Sequence, residues 1–479
     1  MIPFPDISWI ALVPLLLVSG CGILMLGAGL FVDDDEVLGW GAITGLVVTL
    51  ITTATLIGQR ISTFNHTFAL DGYAIFFDLL ILGVGVLVVL MSMNYLEDTD
   101  IGAGEYYALV LFALAGMMVM ASATDLIVIF LGLEIMSISI YVLAGAWRTQ
   151  LRANEASMKY FLLGAFATGF LLYGIALVYG ATGTTRLDLI AAKVAAPLDR
   201  ALLLAGVAML LVAFGFKVAA VPFHMWTPDV YEGAPTSVTA LMAVAVKSAA
   251  FAAFARVFLH ALAGLQADWS VLLWVLAVVT MTTGNVLALA QHNIKRMLAY
   301  SSIAHAGYIL VALTAGGAAG GAAALFYLLA YAFMNLGAFG VVIALGRRGE
   351  PHEEIDDYAG LGFRAPLLGV AMAVFMLSLT GIPPLAGFAG KFYVFTAALR
   401  EGYVALAVIG VLNSVVSAGY YVRVLVMMFM TPGTLEAARP GSRPYLFTSI
   451  VVSAVATVVV GVFPALWLTL ARLSFLSLL

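Results

Sequence analysis

The chain has 479 residues, of which 63% are hydrophobic and only 10% carry a formal charge, and its mean hydropathy is +1.10. A soluble domain contains about 25% charged residues, so this composition excludes a water-soluble enzyme and a disordered chain. The net charge of -5 argues against a nucleic-acid-binding protein. Apolar stretches of about 20 residues, the length that crosses a bilayer, recur along the whole chain and predict an all-α polytopic membrane protein.

Charge clusters and groups of Gly, Pro and Asn divide the chain into membrane-spanning helices. About fourteen are predicted, at 8–31, 38–58, 72–94, 105–122, 124–147, 155–180, 200–220, 235–260, 269–291, 294–315, 319–346, 365–398, 402–430 and 445–470. The connections are short except at 181–199, 347–364 and 431–444, and the first of these contains an amphipathic stretch at 187–190.

An even number of spans places both termini on one side of the membrane, and the basic residues of the loops indicate which side. With the termini outside, the inner loops hold Arg148, Arg152, Lys295, Arg296, Arg347, Arg348, Arg364, Arg439 and Arg443. The outer loops then hold Arg60, Arg186, Lys193, Arg200, Arg400 and Arg472. The excess of basic residues on the inner side favours termini on the outer side.

Two predicted helices contain proline interruptions. Pro222 interrupts the seventh, and the pair Pro383-Pro384 interrupts the twelfth. Non-helical backbone at membrane depth persists only where it is buried in protein or faces a water-filled cavity. Each interruption lies in the fourth helix of a five-helix block, helices 4–8 and 9–13, and blocks with an odd number of spans run in opposite senses. This pattern predicts two inverted repeats, in which interrupted helices mark transport sites; the alternative is a pair of ordinary proline kinks.

The helices form a single integral membrane domain over 1–479. Within it we predict three N-terminal helices (1–100), a first inverted repeat (101–262), a second inverted repeat (263–430) and a C-terminal helix (431–479). Cys21 is the only cysteine, which is too few for a disulfide framework or an iron–sulfur cluster. The sequence also contains neither a dinucleotide-binding fingerprint nor a Walker A motif, so we expect no redox cofactor in this chain.

Four lysines lie in apolar stretches: Lys159, Lys217, Lys247 and Lys391. A charge at the bilayer centre costs at least ~2.5–3.5 kcal/mol, and Lys217 and Lys391 are too deep in their helices to reach the interface. Burial lowers the pKa of a lysine and a nearby carboxylate raises it, so such a residue can load and release a proton. For Lys159, close to the start of the sixth helix, snorkelling to the interface is the alternative to a role in a proton path.

Glu134 is the expected partner of Lys217. It lies ten residues past Thr124, or about 15 Å along a helix, near the middle of the membrane. At ~4 Å and an effective dielectric constant near 20, a Glu–Lys pair interacts by about 4 kcal/mol, enough to switch the protonation of the lysine. The alternative is a static buried ion pair that fixes helix packing.

The proposed repeats relate residues of the two halves. Glu134 in the fifth helix corresponds to the region of His305 in the tenth, and a histidine there is a candidate proton relay; the alternative is a hydrogen-bonded core histidine. Lys247 in the eighth helix corresponds to Arg423 in the thirteenth. Because arginine does not release its proton, we expect Arg423 to be an electrostatic or structural element.

The segment 222–236 contains three prolines together with His224, Asp229 and Glu232. His224, at the end of an interrupted helix, could connect a buried lysine to solvent, with acidic residues close by. A rigid loop with a hydrogen-bonded histidine is the alternative, and the spacing fits no standard metal site. The acidic runs 33–36, 97–100 and 351–357 are expected to be solvated loop ends.

The motif running from Phe216-Lys217 through Pro222-Phe223-His224-x-Trp226-x-Pro228-Asp229-x-Tyr231-x-Gly233-Ala234-Pro235-Thr236, followed by Lys247, resembles the antiporter-like membrane subunits of respiratory complex I. These are related to components of multisubunit Na+/H+ antiporters and membrane-bound hydrogenases. The resemblance covers roughly helices 3–14. The chain ends soon after helix fourteen, without the lateral helix of the family's largest subunit, which argues against that member.

The resemblance implies a proton-translocating subunit in a bacterial inner membrane. In this family Glu134, Lys217, Lys247 and Lys391 match the charged positions of the fifth, seventh, eighth and twelfth helices. Electron transfer from NADH to quinone would occur in other subunits, which hold FMN, iron–sulfur clusters and quinone. The expected partners are other membrane subunits, including neighbouring antiporter-like ones, together with lipids and protons. A subunit of a cation/proton antiporter or hydrogenase, and a passive scaffold, are the alternatives.

Overall fold

The computed structural model describes residues 6–346, 352–433 and 443–478. Its helices are α1 (Trp9–Ala28), α2 (Asp35–Thr55), α3 (Gly72–Leu96), α4 (Ala103–Ser122), α5 (Leu126–Ala144), α6 (Leu151–Thr182), α7 (Leu187–Lys193), α8 (Arg200–Val218), α9 (Trp226–Gly233), α10 (Thr236–Ala261), α11 (Ala263–Leu289), α12 (Ile294–Ala315), α13 (Gly317–Leu345), α14 (Leu361–Arg364), α15 (Pro366–Thr380), α16 (Ala386–Arg400), α17 (Val404–Met430), α18 (Pro444–Val462) and α19 (Pro464–Leu476). A 3₁₀ turn spans Ile355–Tyr358.

The all-α polytopic fold is confirmed. Over the described residues, thirteen helices are long and apolar enough to cross a membrane. The predicted twelfth helix consists of two shorter helices, α15 and α16, and the predicted fourteenth divides into α18 and α19. One feature was not predicted: an antiparallel hairpin of β1 (Ile61–Thr63) and β2 (Phe68–Leu70) between α2 and α3, with Ile61 opposite Leu70.

The centre of the bundle is formed by α10, α12 and α13, and the most apolar stretch of α10 is completely buried. Helices α1, α6 and α18 lie at the periphery, where no more than about a third of their most apolar stretch is buried inside the protein. The central helix α10 contains two π-helical segments, Met242–Val246 and Arg256–Ala261. Such segments interrupt the regular α-helical hydrogen bonding and often occur at functional sites.

Both predicted interruptions are present. Helix α8 ends at Val218, the next residue has a φ of 62°, and the chain turns before α9 begins. The Trp226 indole N–H donates a 3.0 Å hydrogen bond to the Phe216 carbonyl, and its ring stacks on Tyr160 with centroids 4.3 Å apart. These contacts hold the turn against the end of α8.

The second interruption separates α15 from α16. It begins at Gly381, whose φ of 96° is a conformation that favours glycine.

Candidate functional site

Three of the four predicted lysines are deeply buried in the bundle. Lys217, Lys247 and Lys391 are 3%, 2% and 4% exposed. Lys217 lies in the last turn of α8, immediately before one interruption, and Lys391 lies in α16, shortly after the other. Lys247 follows directly on the first π-helical segment of α10. Each ammonium group therefore lies where the regular helix is interrupted or altered.

The Lys217 ammonium contacts hydroxyl groups and aromatic rings. It donates hydrogen bonds to Ser137 Oγ at 2.7 Å and to the Tyr141 hydroxyl at 3.5 Å. The rings of Tyr141, Tyr160 and Phe216 have centroids 5.5, 5.7 and 5.8 Å from its Nζ. Cation–π attraction is significant where the cation is desolvated, so these rings stabilise the ammonium without giving it a counter-ion.

Glu134 is not in direct contact with Lys217. Its Oε1 accepts a 2.7 Å hydrogen bond from Thr168 of α6, and within the described part of the chain no salt bridge joins it to Lys217. In this conformation the two residues are thus apart, and the Glu134–Lys217 switching pair stays a prediction. The reason is local: the ammonium group is hydrogen-bonded to Ser137, which lies about one turn beyond Glu134 on α5.

Lys247 connects α10 to α12. Its Nζ donates a 2.7 Å hydrogen bond to the carbonyl oxygen of Ser302 and a second, shorter one to the hydroxyl of the same residue. A serine inside α12 already uses its carbonyl in the helix, so Lys247 shares that oxygen with the backbone. The arrangement holds the buried ammonium with polar but uncharged groups.

His305 lies at the centre of a hydrogen-bonded series. Its Nδ1 is 2.8 Å from the Tyr327 hydroxyl and its Nε2 is 3.1 Å from the Tyr421 hydroxyl. Tyr421 is in turn hydrogen-bonded to Ser301, the chain neighbour of the residue that binds Lys247. A histidine with hydroxyl groups at both ring nitrogens has the geometry that a proton relay requires.

Lys391 occupies the carbonyl end of the half-helix α15. It donates to the carbonyl oxygens of Leu379 at 3.0 Å and Thr380 at 2.8 Å. The C-terminal end of a helix carries partial negative charge, which favours a cation there. Its Nζ also lies 4.9 Å from the ring centroid of Tyr308, and that ring makes an edge contact with His305 at 5.6 Å. Lys391 and the His305 series are thus neighbours.

Lys159 and Asp229 belong to a different environment, an ion cluster that we call the α6–α9 cluster. Lys159 pairs with Glu155 and Asp229, both at 2.7 Å, and Arg296 pairs with Asp229 and Glu232, both at 2.8 Å. The Lys159 side chain is 41% exposed, so its assignment to apolar surroundings is wrong. Its position near the helix start and its carboxylate partners keep it at the edge of the bundle, beside a cavity of about 190 Å³.

His224 lies in the turn between α8 and α9. Its Nδ1 is buried and has no hydrogen-bond partner among the described residues. Among the described residues no hydrogen bond joins it to Lys217, so a link from His224 to this lysine stays a prediction. Arg423 donates to the carbonyl oxygens of Leu289, the last residue of α11, and of Gln291, which follows that helix.

Several charged residues that sequence reasoning assigned to loops are in fact paired within the protein. Lys295 is buried, 3.1 Å from Glu353, so Glu353 is not a solvated loop end. Asp98, in another run expected to be solvated, pairs with Arg443 at 2.5 Å. These pairs join segments distant in sequence, and no local pattern marks them. Of the residues used to predict topology, Arg347, Arg348 and Arg439 lie outside the described residues, as does Pro351 of the acidic run.

Comparison with known proteins gives a consistent result. The family described as NADH:quinone oxidoreductase/Mrp antiporter, TM, matches residues 123–417. A protein of Trichlorobacter lovleyi named NADH-quinone oxidoreductase subunit N is 50% identical over 98% of this chain and 97% of its own length. This match also includes the first two helices, which the resemblance based on sequence motifs did not cover.

Solved structures agree with these matches. A chain of respiratory complex I from Thermus thermophilus superimposes with a TM-score of 0.83 and 37% identity, covering 96% of this chain and 99% of that one. A chain of a membrane-bound sulfane sulfur reductase, an archaeal respiratory complex, gives a TM-score of 0.87 at 25% identity, covering 98% of both chains. The segments 227–231 and 297–308 also resemble subunit N, the counterpart of mitochondrial subunit 2. The chain therefore belongs to the family of antiporter-like membrane subunits that includes subunit N of bacterial NADH-quinone oxidoreductase.

Proposed function

We propose that this chain is a proton-translocating membrane-arm subunit of an NADH:quinone oxidoreductase, driven by electron transfer from NADH to quinone in other subunits. Those subunits would hold FMN, iron–sulfur clusters and quinone. The observation that carries the proposal is the burial of Lys217, Lys247 and Lys391 inside a membrane-spanning bundle, two of them beside interrupted helices. Buried ionisable residues at such positions are expensive and typically mark ion pathways.

In this proposal Glu134 and Lys217 form the switching pair. Lys217 now donates to Ser137, about one turn from Glu134, and a change of side-chain conformation would bring its ammonium to the carboxylate. An ammonium beside a carboxylate keeps its proton, whereas one surrounded by hydroxyl groups and rings releases it more readily. Movement between the two partners would thus load and unload the lysine.

The remaining buried groups would pass the proton on. Lys247 donates to Ser302, the chain neighbour of Ser301, where the hydrogen-bonded series Ser301–Tyr421–His305–Tyr327 begins. Lys391 lies beside Tyr308, which contacts His305. This order supports transfer from Lys247 through His305 to Lys391, and from there to the outlet or to a neighbouring antiporter-like subunit. Lys159 and Asp229 of the α6–α9 cluster, with His224 in the adjacent turn, would serve uptake from the inner aqueous side.

The organisation of the chain is part of the proposal. Residues 101–262 and 263–430 would form the two inverted repeats, preceded by three helices in 1–100 and followed by the C-terminal helix in 431–479. The protein would lie in a bacterial inner membrane among lipids, with both termini on the outer side. Two interrupted helices, each adjacent to a buried lysine, support this division.

The test is proton translocation by the complete complex reconstituted in vesicles. Lys217→Ala and Glu134→Ala should abolish or sharply reduce translocation per NADH oxidised, while the complex still assembles. Lys193→Ala is the matched control, because Lys193 is exposed and, within the described segments, its Nζ donates only to the Thr182 carbonyl; this variant should pump normally. Full translocation by either buried-site variant would refute the proposed pathway and favour a passive scaffold.

A second measurement distinguishes the redox-driven subunit from a cation/proton antiporter or hydrogenase component. Native membranes are solubilised in mild detergent and the complexes are separated by size. Comigration of the chain with NADH dehydrogenase activity supports the proposal. Comigration with other membrane subunits alone would contradict it.

A further inference from the structure

A second buried ionisable cluster lies between α3 and α10, apart from the lysine series. Arg256 is 1% exposed; its Nη2 donates to Asp71 Oδ1 at 2.8 Å and its Nε donates to the Ala121 carbonyl at 2.6 Å. The guanidinium carbon lies 4.8 Å from the ring centroid of Tyr73. Asp71 also accepts the Ala74 backbone N–H at 2.7 Å as the cap of α3. Asp71 is therefore the ionised partner that neutralises Arg256.

Asp78 is a second carboxyl group in the same region. It is 2% exposed, and its Oδ1 has no hydrogen-bond partner among the described residues. It lies seven residues after Asp71, hence about two turns or 10 Å further along the same face of α3. The charged groups that act on it are Asp71, on its own helix, and Arg256, on the helix packed alongside.

The charges of these three residues do not balance if both carboxyl groups are ionised. One guanidinium neutralises one carboxylate, and an unpaired carboxylate away from water is strongly disfavoured. Asp71, which accepts two hydrogen bonds, holds the negative charge in the observed conformation. Asp78 is therefore the neutral acid and carries a proton.

We propose that Asp71, Arg256 and Asp78 form a second proton-binding site, in which the guanidinium pairs with one carboxylate at a time while the other carboxyl holds a proton. When Arg256 changes its partner from Asp71 to Asp78, the O–H bond of Asp78 breaks and its proton leaves to water, while Asp71 takes up a proton from water and forms an O–H bond. The two carboxyl groups, about 10 Å apart, do not exchange a proton directly. The net charge of the site stays constant. Because Asp71 caps the start of α3 and is partly exposed, the exchange moves the protonated carboxyl group from the interior to the edge of the bundle.

The backbone supports a change of partner at Arg256. The second π-helical segment of α10 begins at this residue, so the backbone that carries the guanidinium departs from regular α-helical hydrogen bonding. The three residues also lie away from Lys217, Lys247 and Lys391, whose hydrogen-bond partners are on α5, α12 and α15. The site can therefore be tested without reference to the lysine pathway.

The test uses a hydrophobic carbodiimide, which modifies protonated carboxyl groups in apolar surroundings, on the assembled complex, followed by peptide mass spectrometry. In the unaltered protein we expect an adduct on Asp78 and none on Asp71. In Asp71→Asn the guanidinium has Asp78 as its carboxylate partner, so Asp78 ionises and its labelling falls by about tenfold or more. In Arg256→Gln the cation is removed, and Asp71 becomes protonated and labelled.

Ser92→Ala, on the same helix and outside the site, is the matched control and should leave labelling of Asp78 unchanged. Infrared spectroscopy detects the same proton without any reagent, because a protonated carboxyl group has its own carbonyl band. Asp78→Asn should remove that band. Unchanged labelling of Asp78 in Asp71→Asn, or neither adduct nor band at Asp78 in the unaltered protein, overturns the proposal. If Asp71→Asn does not assemble, Arg256→Gln is the deciding variant. Absence of labelling at Asp71 in Arg256→Gln also overturns the proposal.

Discussion

Lys247 donates hydrogen bonds to two oxygens of a single residue, the carbonyl and the hydroxyl of Ser302. This contrasts with Arg256 on the same helix, which is paired with the carboxylate of Asp71. A buried cation held only by neutral oxygens is far less stabilised than one paired with a carboxylate. Of the two cations, only Lys247 can give up its proton, because arginine keeps its proton in either environment.

The Ser302 hydroxyl should matter for transport. Ser302→Ala removes one acceptor from Lys247 and leaves the carbonyl, and a hydrogen bond to a charged group is worth about 1.5–3 kcal/mol. We expect the balance between charged and neutral Lys247 to shift by about tenfold or more, with reduced proton translocation per NADH oxidised. Ser248→Ala is the control, because that buried hydroxyl adjoins Lys247 in sequence but has no partner among the described residues. Equal effects of the two variants would contradict the prediction.

The Tyr421 hydroxyl connects Ser301 to His305, and Tyr421→Phe removes it while keeping the ring. We expect the complex to assemble and translocation to fall by about fivefold or more, since the variant loses at least one hydrogen bond of about 1 kcal/mol and the proton's route with it. Tyr107→Phe serves as the comparison, because the Tyr107 hydroxyl is buried without a partner in the described structure. Normal pumping by Tyr421→Phe would remove His305 from the proposed path.

Lys217→Arg distinguishes a switching lysine from a static one. Arginine keeps the positive charge and the cation–π contacts but does not release a proton. We expect translocation in reconstituted vesicles to be lost as completely as in Lys217→Ala, with the complex intact. If Lys217 only stabilises helix packing, the arginine variant should pump at a rate close to that of the unaltered protein.

The stability that the α6–α9 cluster gives to the fold should depend on pH through the carboxyl group of Asp229. Partial burial acts to raise the pKa of this carboxyl group, but hydrogen bonds from Lys159 and Arg296 outweigh it and hold the pKa below its usual value. Because the pKa is lowered on folding, the stabilisation is complete above the unfolded value, about 4, and is lost as the pH falls through the folded value.

Hydrogen exchange of α9 measures this effect. In the unaltered protein, protection of the α9 amides should hold down to about pH 4 and decline below it. Asp229→Asn should show weaker protection at neutral pH and a smaller change on acidification. The same acid-induced loss in both proteins would assign it to another group.

The sequence was sufficient to predict the spans, both interruptions and the three buried lysines, because each depends on local features: apolar length, proline and a charge within an apolar stretch. It was not sufficient to predict contacts between helices. Lipid and the protein interior are both apolar, so the pattern of apolar residues does not show which face of a helix is inward. The partners of Lys217 and the pairing of Lys295 with Glu353 depend on that orientation.

For Asp78 and Arg256, the sequence can single out the residues but not the contact that relates them to Asp71. Both lie in predicted spans, and a charged residue within a span is itself a signal of function, so Asp78 and Arg256 could have been singled out alongside the lysines. Their relationship to Asp71 could not, because it joins the start of α3 to the second half of α10. Lys159 illustrates the converse, since its apolar neighbours in sequence concealed carboxylate partners on α6 and α9.

Helix α10 carries Lys247 and Arg256 nine positions apart, about two and a half turns, so the two cations point to opposite sides of one rod. One engages α12 and the other α3. A rotation of the rod about its axis therefore displaces both groups from their partners at once, in opposite lateral directions. The two π-helical segments, one before Lys247 and one beginning at Arg256, are where such a torsion would be absorbed or passed on. A twist of this central helix would therefore couple the surroundings of Lys247 to those of Arg256.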